Sequence, residues 1–173
     1  IEIDNIQAKI DEQKIIESDT QEKINEAEAL LQTNADFQKQ FQEREDLKRR
    51  RDMKKETNCD VFVSIHQNMF PQEKCYGAQV WYSSNDISIR LANNIQESIK
   101  ETVKDNNKRV SKPAGDSYLI LRDDYKGASV LVECGFLSNM QEEKELQTEE
   151  HQNSLVEGIF LGIERYFEEI NNN

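Results

Sequence analysis

The spacing of apolar residues along the chain changes character near residue 57. Before that point, apolar residues have a helix-like spacing without a strict heptad, and neither Gly nor Pro interrupts the segment. This spacing, in a segment rich in Glu, Gln, Lys and Ala, predicts helix. We therefore expect one or two amphipathic helices, or a helical hairpin, over residues 1–56, rather than a long coiled coil.

From Asp60 onward, short β-rich runs alternate with longer helical patterns. The runs predict strands at residues 61–65, 78–82, 117–121 and 128–133. The helical patterns predict helices at residues 87–104, 141–146 and 149–169, the first of them capped by Asn85 or Asp86. Strands alternating with helices are typical of layered α/β folds. The expected fold is therefore α/β, with a mixed twisted sheet flanked by helices and a helical N-terminal segment.

Composition and charge exclude several classes of protein. The 173 residues carry 34 acidic and 22 basic side chains, which gives a net charge of -12. Such a balance argues against nucleic-acid binding, because a phosphate backbone needs a cationic face. No apolar run approaches the roughly 20 residues that cross a bilayer, so no transmembrane segment is expected. Three widely spaced cysteines form neither a disulfide framework nor a paired-cysteine zinc site.

Two ionisable side chains end runs that are otherwise apolar. His66 follows the first predicted strand, and Glu133 ends the fourth. Ligands of α/β sheets bind beyond the carboxyl ends of strands, so these two residues are a candidate functional pair. A buried carboxylate has a raised pKa and suits general acid–base catalysis, and a strand-end imidazole can bind a metal. Local sequence leaves the alternative open of a structural His and a Glu that caps a helix or forms a salt bridge.

Cys134 and His151 are weaker candidates. Cys134 could pair with His66 as a nucleophile. If the strand continues through Cys134, however, that side chain and the Glu133 side chain point to opposite faces. Buried cysteines are usually unreactive parts of the core. His151 follows two glutamates at the start of a predicted helix. We expect it to be solvent-exposed and not a ligand.

Two sequence blocks resemble those of a known enzyme family. Residues 60–68, DVFVSIHQN, are similar to the SIHxN strand of zinc-dependent N-acetylmuramoyl-L-alanine amidases. Residues 130–139, VLVECGFLSN, are similar to the LVExGFLSN block of the same family. The resemblance covers about residues 44–168 and is closest in character to the spore-cortex, germination-specific amidases. It divides the chain into a helical N-terminal segment (1–43), an amidase-like catalytic domain (44–170) and a tail (171–173).

The resemblance implies a reaction and roles for named residues. The implied reaction is zinc-dependent hydrolysis of the amide between the lactyl group of N-acetylmuramic acid and the L-alanine of the stem peptide in peptidoglycan, including that of the spore cortex. His66 would be a zinc ligand, Glu133 the catalytic carboxylate, and Asn68 would orient water or substrate. Trp81, Tyr82 and Tyr118 are expected to pack in the core or at the rim. The implied location is extracytoplasmic, in the cell envelope or the forespore–cortex space.

The N-terminal segment departs from the family pattern. The family has two further metal ligands there, a His in a DPGHGG turn and a Glu that opens the next helix. In this chain no Gly precedes Gly77 and no His precedes His66. The matching offsets fall near Gln7 and Glu22, and an amide side chain is a poor zinc ligand.

Three explanations of this departure stay open. The first is that the chain is trimmed or has residues omitted. The second is that it is an amidase-fold protein that binds peptidoglycan without hydrolysis. The third is that it is an amidase subunit that is inactive without an activating protein partner.

Overall fold

The computed structural model describes residues 2–122 and 124–172, with side chains at 18, 20–122 and 124–172. Its elements are, in chain order, α1 (Glu2–Thr57), β1 (Val61–Asn68), β2 (Gln79–Tyr82), α2 (Asp86–Val103), β3 (Lys112–Pro113), a 3-10 turn (Leu119–Leu121), β4 (Ala128–Phe136), α3 (Met140–Leu146) and α4 (Glu149–Asn171). The chain divides into two units, Ile1–Asp46 and Leu47–Asn173. Among the described residues, no helix has the length and apolarity that crossing a membrane requires.

The first unit is helical throughout its described residues. It belongs to α1, which continues without interruption to Thr57. The prediction of helix is thus confirmed, but the alternative of a hairpin is wrong: the helix is continuous, and neither Gly nor Pro interrupts the segment. Among its described side chains, large apolar ones such as Leu30, Phe37 and Phe41 are exposed.

The second unit is built on a four-stranded sheet with the order β1-β4-β2-β3. β1 runs parallel to β4, β2 runs antiparallel to β4, and β3 runs parallel to β2. The predicted mixed α/β architecture is therefore confirmed. β3 was missed because it is only two residues long and ends in Pro113, a residue that is confined to strand edges and starts.

Helices α2 and α4 cover one face of the sheet and form the main core with it. Val80, Val130 and Val132 are fully buried there. Asn85 caps α2 by accepting a hydrogen bond from Ser88 N at 2.8 Å, as its position before the helical pattern predicted. The two helices approach closely at Gly162 of α4. A Cβ at that position would lie 2.7 Å from Ile95 N of α2.

The opposite face of the sheet carries a smaller apolar cluster around Leu131. The strand predicted at 117–121 is wrong, since Leu119–Leu121 forms a 3-10 turn whose backbone bonds close locally instead of joining the sheet. Ile120 and Leu121 are nonetheless buried against Leu131, which explains the apolar run. Lys54, near the end of α1, is fully buried beside this cluster and donates to Ile120 O at 2.8 Å.

Candidate functional site

Three polar side chains form a row across the sheet. Glu133 of β4 is opposite His66 of β1 on one side and opposite Gln79 of β2 on the other. Directly opposed residues of neighbouring strands project to the same face. The face is the one that carries Leu131, two residues before Glu133, and not the face covered by α2 and α4. The two strand-end residues singled out in the sequence are therefore neighbours in the fold.

Glu133 is a buried carboxylate with incomplete hydrogen bonding. Glu133 is only 5% exposed. Its Oε2 atom is buried and has no hydrogen-bond partner among the described residues. Burial raises the pKa of Glu133, and a hydrogen bond donated by the Tyr118 hydroxyl partly opposes this rise. A carboxyl group with a raised pKa can accept and release a proton near neutral pH.

Tyr118 is the side chain that holds Glu133 from the loop before the 3-10 turn. Burial and the neighbouring Glu133 charge both raise the pKa of Tyr118, so its hydroxyl keeps its proton and acts as a donor. Its ring packs against Trp81, with centroids 5.3 Å apart. Sequence reasoning assigned Tyr118 only to packing and missed the bond to Glu133. Nothing in the local pattern could reveal it, because the two residues meet only in the folded loop.

His66 is half-buried and hydrogen-bonded within its own strand. Its Nε2 atom lies 2.9 Å from Ser64 Oγ. Burial, and to a smaller extent the charge of Arg50, lowers the pKa of His66, so the imidazole is neutral at pH 7. Sequence reasoning missed Ser64, although the two-residue period of a strand places it on the same face as His66.

Asn68 lies beyond an irregularity in the pairing of β1 with β4. His66 is opposite Glu133, but Asn68 is opposite Phe136, so β4 has one residue more than β1 in this interval. The Asn68 carbonyl accepts a hydrogen bond from Leu137 N at 2.8 Å. Its backbone thus joins the ends of the two strands. The role of its side chain in orienting water or substrate stays a prediction.

Glu142 fixes the end of β4 just past the row. It is buried in α3 and accepts hydrogen bonds from Gly77 N at 2.7 Å and from Phe136 N at 2.9 Å. Burial raises the pKa of Glu142, and the two N–H groups oppose the rise. Asn139 caps α3 by accepting from the Gln141 and Glu142 N–H groups. The sequence after Glu133 therefore supplies the turn and the carboxylate that hold this strand end in place.

Cys134 does not belong to the site. β4 continues through it, and its side chain lies in the core on the α2–α4 face. Burial raises the pKa of Cys134 to about 11, so its thiol stays protonated. These observations agree with its exclusion as a nucleophile. His151 lies in the first turn of α4 and is half-buried, not fully exposed as expected.

The described residues do not fit a catalytic zinc site by themselves. Such a site normally has three protein ligands and one open position. Among the side chains at 18, 20–122 and 124–172, no group of three or more His, Cys, Asp or Glu is placed to hold a metal ion. His66 is the one imidazole of the row. Glu22 is an exposed residue of α1 in the first unit, and the side chain of Gln7 lies outside the described part.

Comparison with solved structures places this fold among cell-wall amidases. The CwlD amidase of Clostridioides difficile, solved in complex with the GerS lipoprotein, is 41% identical and superposes with a TM-score of 0.68, over 72% of this chain and 63% of that chain. The catalytic domain of the amidase CwlV from Bacillus (Paenibacillus) polymyxa is 28% identical, with a TM-score of 0.63 over 70% of this chain and 65% of that chain.

Sequence comparison points the same way. The germination-specific N-acetylmuramoyl-L-alanine amidase of Bacillus subtilis is 32% identical over 126 residues, which are 72% of this chain and 52% of that protein. The chain thus spans about half the length of this relative. Residues 4–165 match the sequence pattern of one family over most of the chain. The chain belongs to the N-acetylmuramoyl-L-alanine amidase family Amidase_3.

Proposed function

We propose that this protein hydrolyses the amide bond between the lactyl group of N-acetylmuramic acid and the L-alanine of the stem peptide. The observation that carries the proposal is the row His66–Glu133–Gln79, with the buried carboxylate at its centre. Family membership supplies the reaction class. A peptidoglycan substrate supports action in the cell envelope, and the similarity to a germination-specific amidase favours spore cortex.

Glu133 acts as the proton carrier of the reaction. As a carboxylate it removes a proton from the attacking water, whose oxygen bonds to the amide carbonyl carbon. When the C–N bond breaks, the same carboxyl group delivers that proton to the departing nitrogen of L-alanine. The products are a lactyl carboxylate on the sugar and a free α-amine on the peptide. Tyr118 is a positioning residue, because its hydroxyl fixes the carboxylate by a hydrogen bond.

Zinc dependence rests on the family resemblance and on His66. The neutral imidazole of His66 is a suitable nitrogen ligand. The described residues of the second unit offer no further imidazole in the row. A complete zinc site would require ligands other than the side chains that the structure describes.

A second candidate function is that of an amidase subunit that a protein partner activates. The absence of a three-ligand metal group among the described residues favours it. The CwlD relative was solved in complex with a lipoprotein, which provides a precedent for a protein partner. On this hypothesis the chain alone is inactive and becomes active on addition of its partner. A non-catalytic peptidoglycan-binding protein with the same fold would stay inactive under both conditions.

The test is hydrolysis of purified peptidoglycan, with and without added zinc, followed by mass spectrometry of released peptides. The protein should release peptides that begin with L-alanine, and Glu133→Gln should lose about 10²- to 10⁴-fold in rate. Glu157→Gln removes an exposed carboxylate of α4 and is the matched control, which should keep the wild-type rate. Absence of such peptides under every condition, or full activity of Glu133→Gln, would overturn the proposed function.

A further inference from the structure

A cationic cleft opens in the second unit beside the candidate site. Its volume is about 530 Å³. Four of its lining side chains are basic, and none of the described residues that line it is acidic; the basic residues are Lys74, Lys108, Arg109 and Lys112. The whole chain has a net charge of -12. The cleft is therefore a positively charged region of an acidic protein. Its positive charge favours an anionic ligand.

Arg109 is fixed in place at the cleft by three contacts. Its Nε atom donates to Tyr76 O at 2.6 Å, and its Nη1 atom donates to Gln79 Oε1 at 3.3 Å. Its guanidinium lies over the Phe136 ring, 4.6 Å from the centroid. These contacts leave Nη2 without a protein partner among the described residues. A guanidinium held in this way loses little conformational entropy when it binds a carboxylate.

The other cations are positioned around this fixed group. Lys74, Lys108 and Lys112 are exposed and form no ion pair with described residues. Lys112 belongs to the short edge strand β3 and has its ammonium 6.0 Å from the centroid of the Trp81 ring. Mobile exposed lysines around one fixed arginine can adapt to carboxylates at more than one position of a ligand.

The cleft adjoins Glu133 through Gln79. Gln79 is 1% exposed, lines the cleft, and lies directly opposite Glu133 in the pairing of β2 with β4. Directly opposed residues of an antiparallel pair have Cα atoms about 4.5–5.5 Å apart. Gln79 is held by its bond to Arg109 and by a second bond to Val110 O. The cleft therefore begins one strand away from Glu133.

We propose that this cleft binds the acidic peptide on the amine side of the scissile amide, and that it selects substrates by the carboxylates of that peptide. The proposal rests on the proposed function, because it assigns one side of the substrate to the cleft. The chemistry of the two sides decides the assignment. On the carbonyl side lie a lactyl ether and a neutral sugar, whereas the peptide side carries at least a terminal carboxylate. Only the peptide side carries negative charge that can pair with the four basic side chains of the cleft.

The test is peptide binding, measured by NMR titration without any need for hydrolysis. The probes are L-alanyl-D-glutamate and the same dipeptide with both carboxylates converted to amides. The wild-type protein should bind the acidic dipeptide at least about tenfold more tightly, and the difference should shrink as salt screens the charges. The double variant Lys108→Gln/Lys112→Gln should lose about tenfold in affinity for the acidic dipeptide. Lys126→Gln changes an exposed lysine just before β4, outside the cleft, and should bind as the wild type does.

The outcomes separate this proposal from the proposed function. Equal affinity for the two dipeptides, no binding of either, or an unchanged double variant would overturn the cleft assignment, even if hydrolysis is observed. Selective binding that the double variant loses would support the assignment, even if no hydrolysis is found and the proposed reaction fails. Glu133→Gln should keep the charge preference, because it changes the proton carrier and not the cleft.

Discussion

Replacement of Glu133 by Gln should stabilise the protein while it removes activity. The wild-type side chain is buried, and its Oε2 atom has no hydrogen-bond partner among the described residues. A buried polar atom without a partner costs about 1–3 kcal/mol, and more when it is charged. The substitution removes the charge and keeps the shape. It also weakens the bond from Tyr118 by about 1 kcal/mol, since that bond loses its charged acceptor. The net gain at pH 7 is about 1 kcal/mol in the free energy of unfolding.

The pH dependence of this gain identifies its cause. Burial raises the pKa of Glu133 in the folded protein above its ordinary value of 4.5. Between the unfolded and the folded pKa, the folded wild type binds more protons than the unfolded chain, so this group lowers stability as pH rises. Below about 4.5 the group is protonated in both states and the penalty disappears. The advantage of the variant should therefore be full above the folded pKa and should vanish in acid.

Urea unfolding of the two proteins between pH 4 and pH 8 measures this difference. Both proteins share Glu142 and every other titrating group, so the difference between their free energies of unfolding reports on Glu133. In a separate thermal unfolding experiment at pH 7, the midpoint temperature of the variant should be about 3 °C higher. The reasoning would be refuted by a variant that is less stable than the wild type at pH 7, or by a stability difference that does not change with pH.

Three further predictions concern other parts of the second unit. His66→Ala should reduce any bound zinc to background in elemental analysis, because His66 is one of only two histidines in the chain. Glu142→Ala should lower the free energy of unfolding in urea by about 3 kcal/mol, because two buried backbone N–H groups lose their acceptor. Gly162→Ala should lower it by about 2 kcal/mol in the same assay, because the new Cβ would overlap the backbone of Ile95.

Each of these predictions has a control. For zinc, His151→Ala removes the other histidine and should leave the metal content unchanged, whereas retention of zinc by the His66 variant would disprove its role as a ligand. For Glu142, the Gln variant keeps one acceptor and should lose about half as much stability; equal losses would contradict the hydrogen-bond argument. For Gly162, Glu157→Ala places alanine at an exposed position of the same helix and should be nearly neutral.

Local pattern accounts for most of the elements. The apolar run before His66 is a strand whose residues pack alternately against the two apolar clusters, and the run before Glu133 is a strand buried along its whole length. The four-residue steps of α2 and α4 correspond to the faces that meet the sheet. The run at 117–121 was misread because a short buried apolar stretch has no period that separates a strand from a turn.

The candidate site, too, could be predicted only in part from the local sequence. His66 and Glu133 could be found from the sequence, because an ionisable residue at the end of a buried strand is a local feature. Their adjacency could not be found, since residues 69–127 separate β1 from β4 along the chain. Tyr118 and Gln79 gave no local signal, because their importance comes only from contact with Glu133 and Arg109.

The sequence by itself determined the α/β class, the helical character of the N-terminal segment, the cap of α2 and the two residues that anchor the family resemblance. These depend on periodicity, on breakers and on short motifs, which act within a few residues. The strand order, the row across β1, β4 and β2, and the cationic cleft were decided by the tertiary structure. They depend on pairing between distant segments, where the choice of partner is set by packing and register of the whole sheet and not by any local preference.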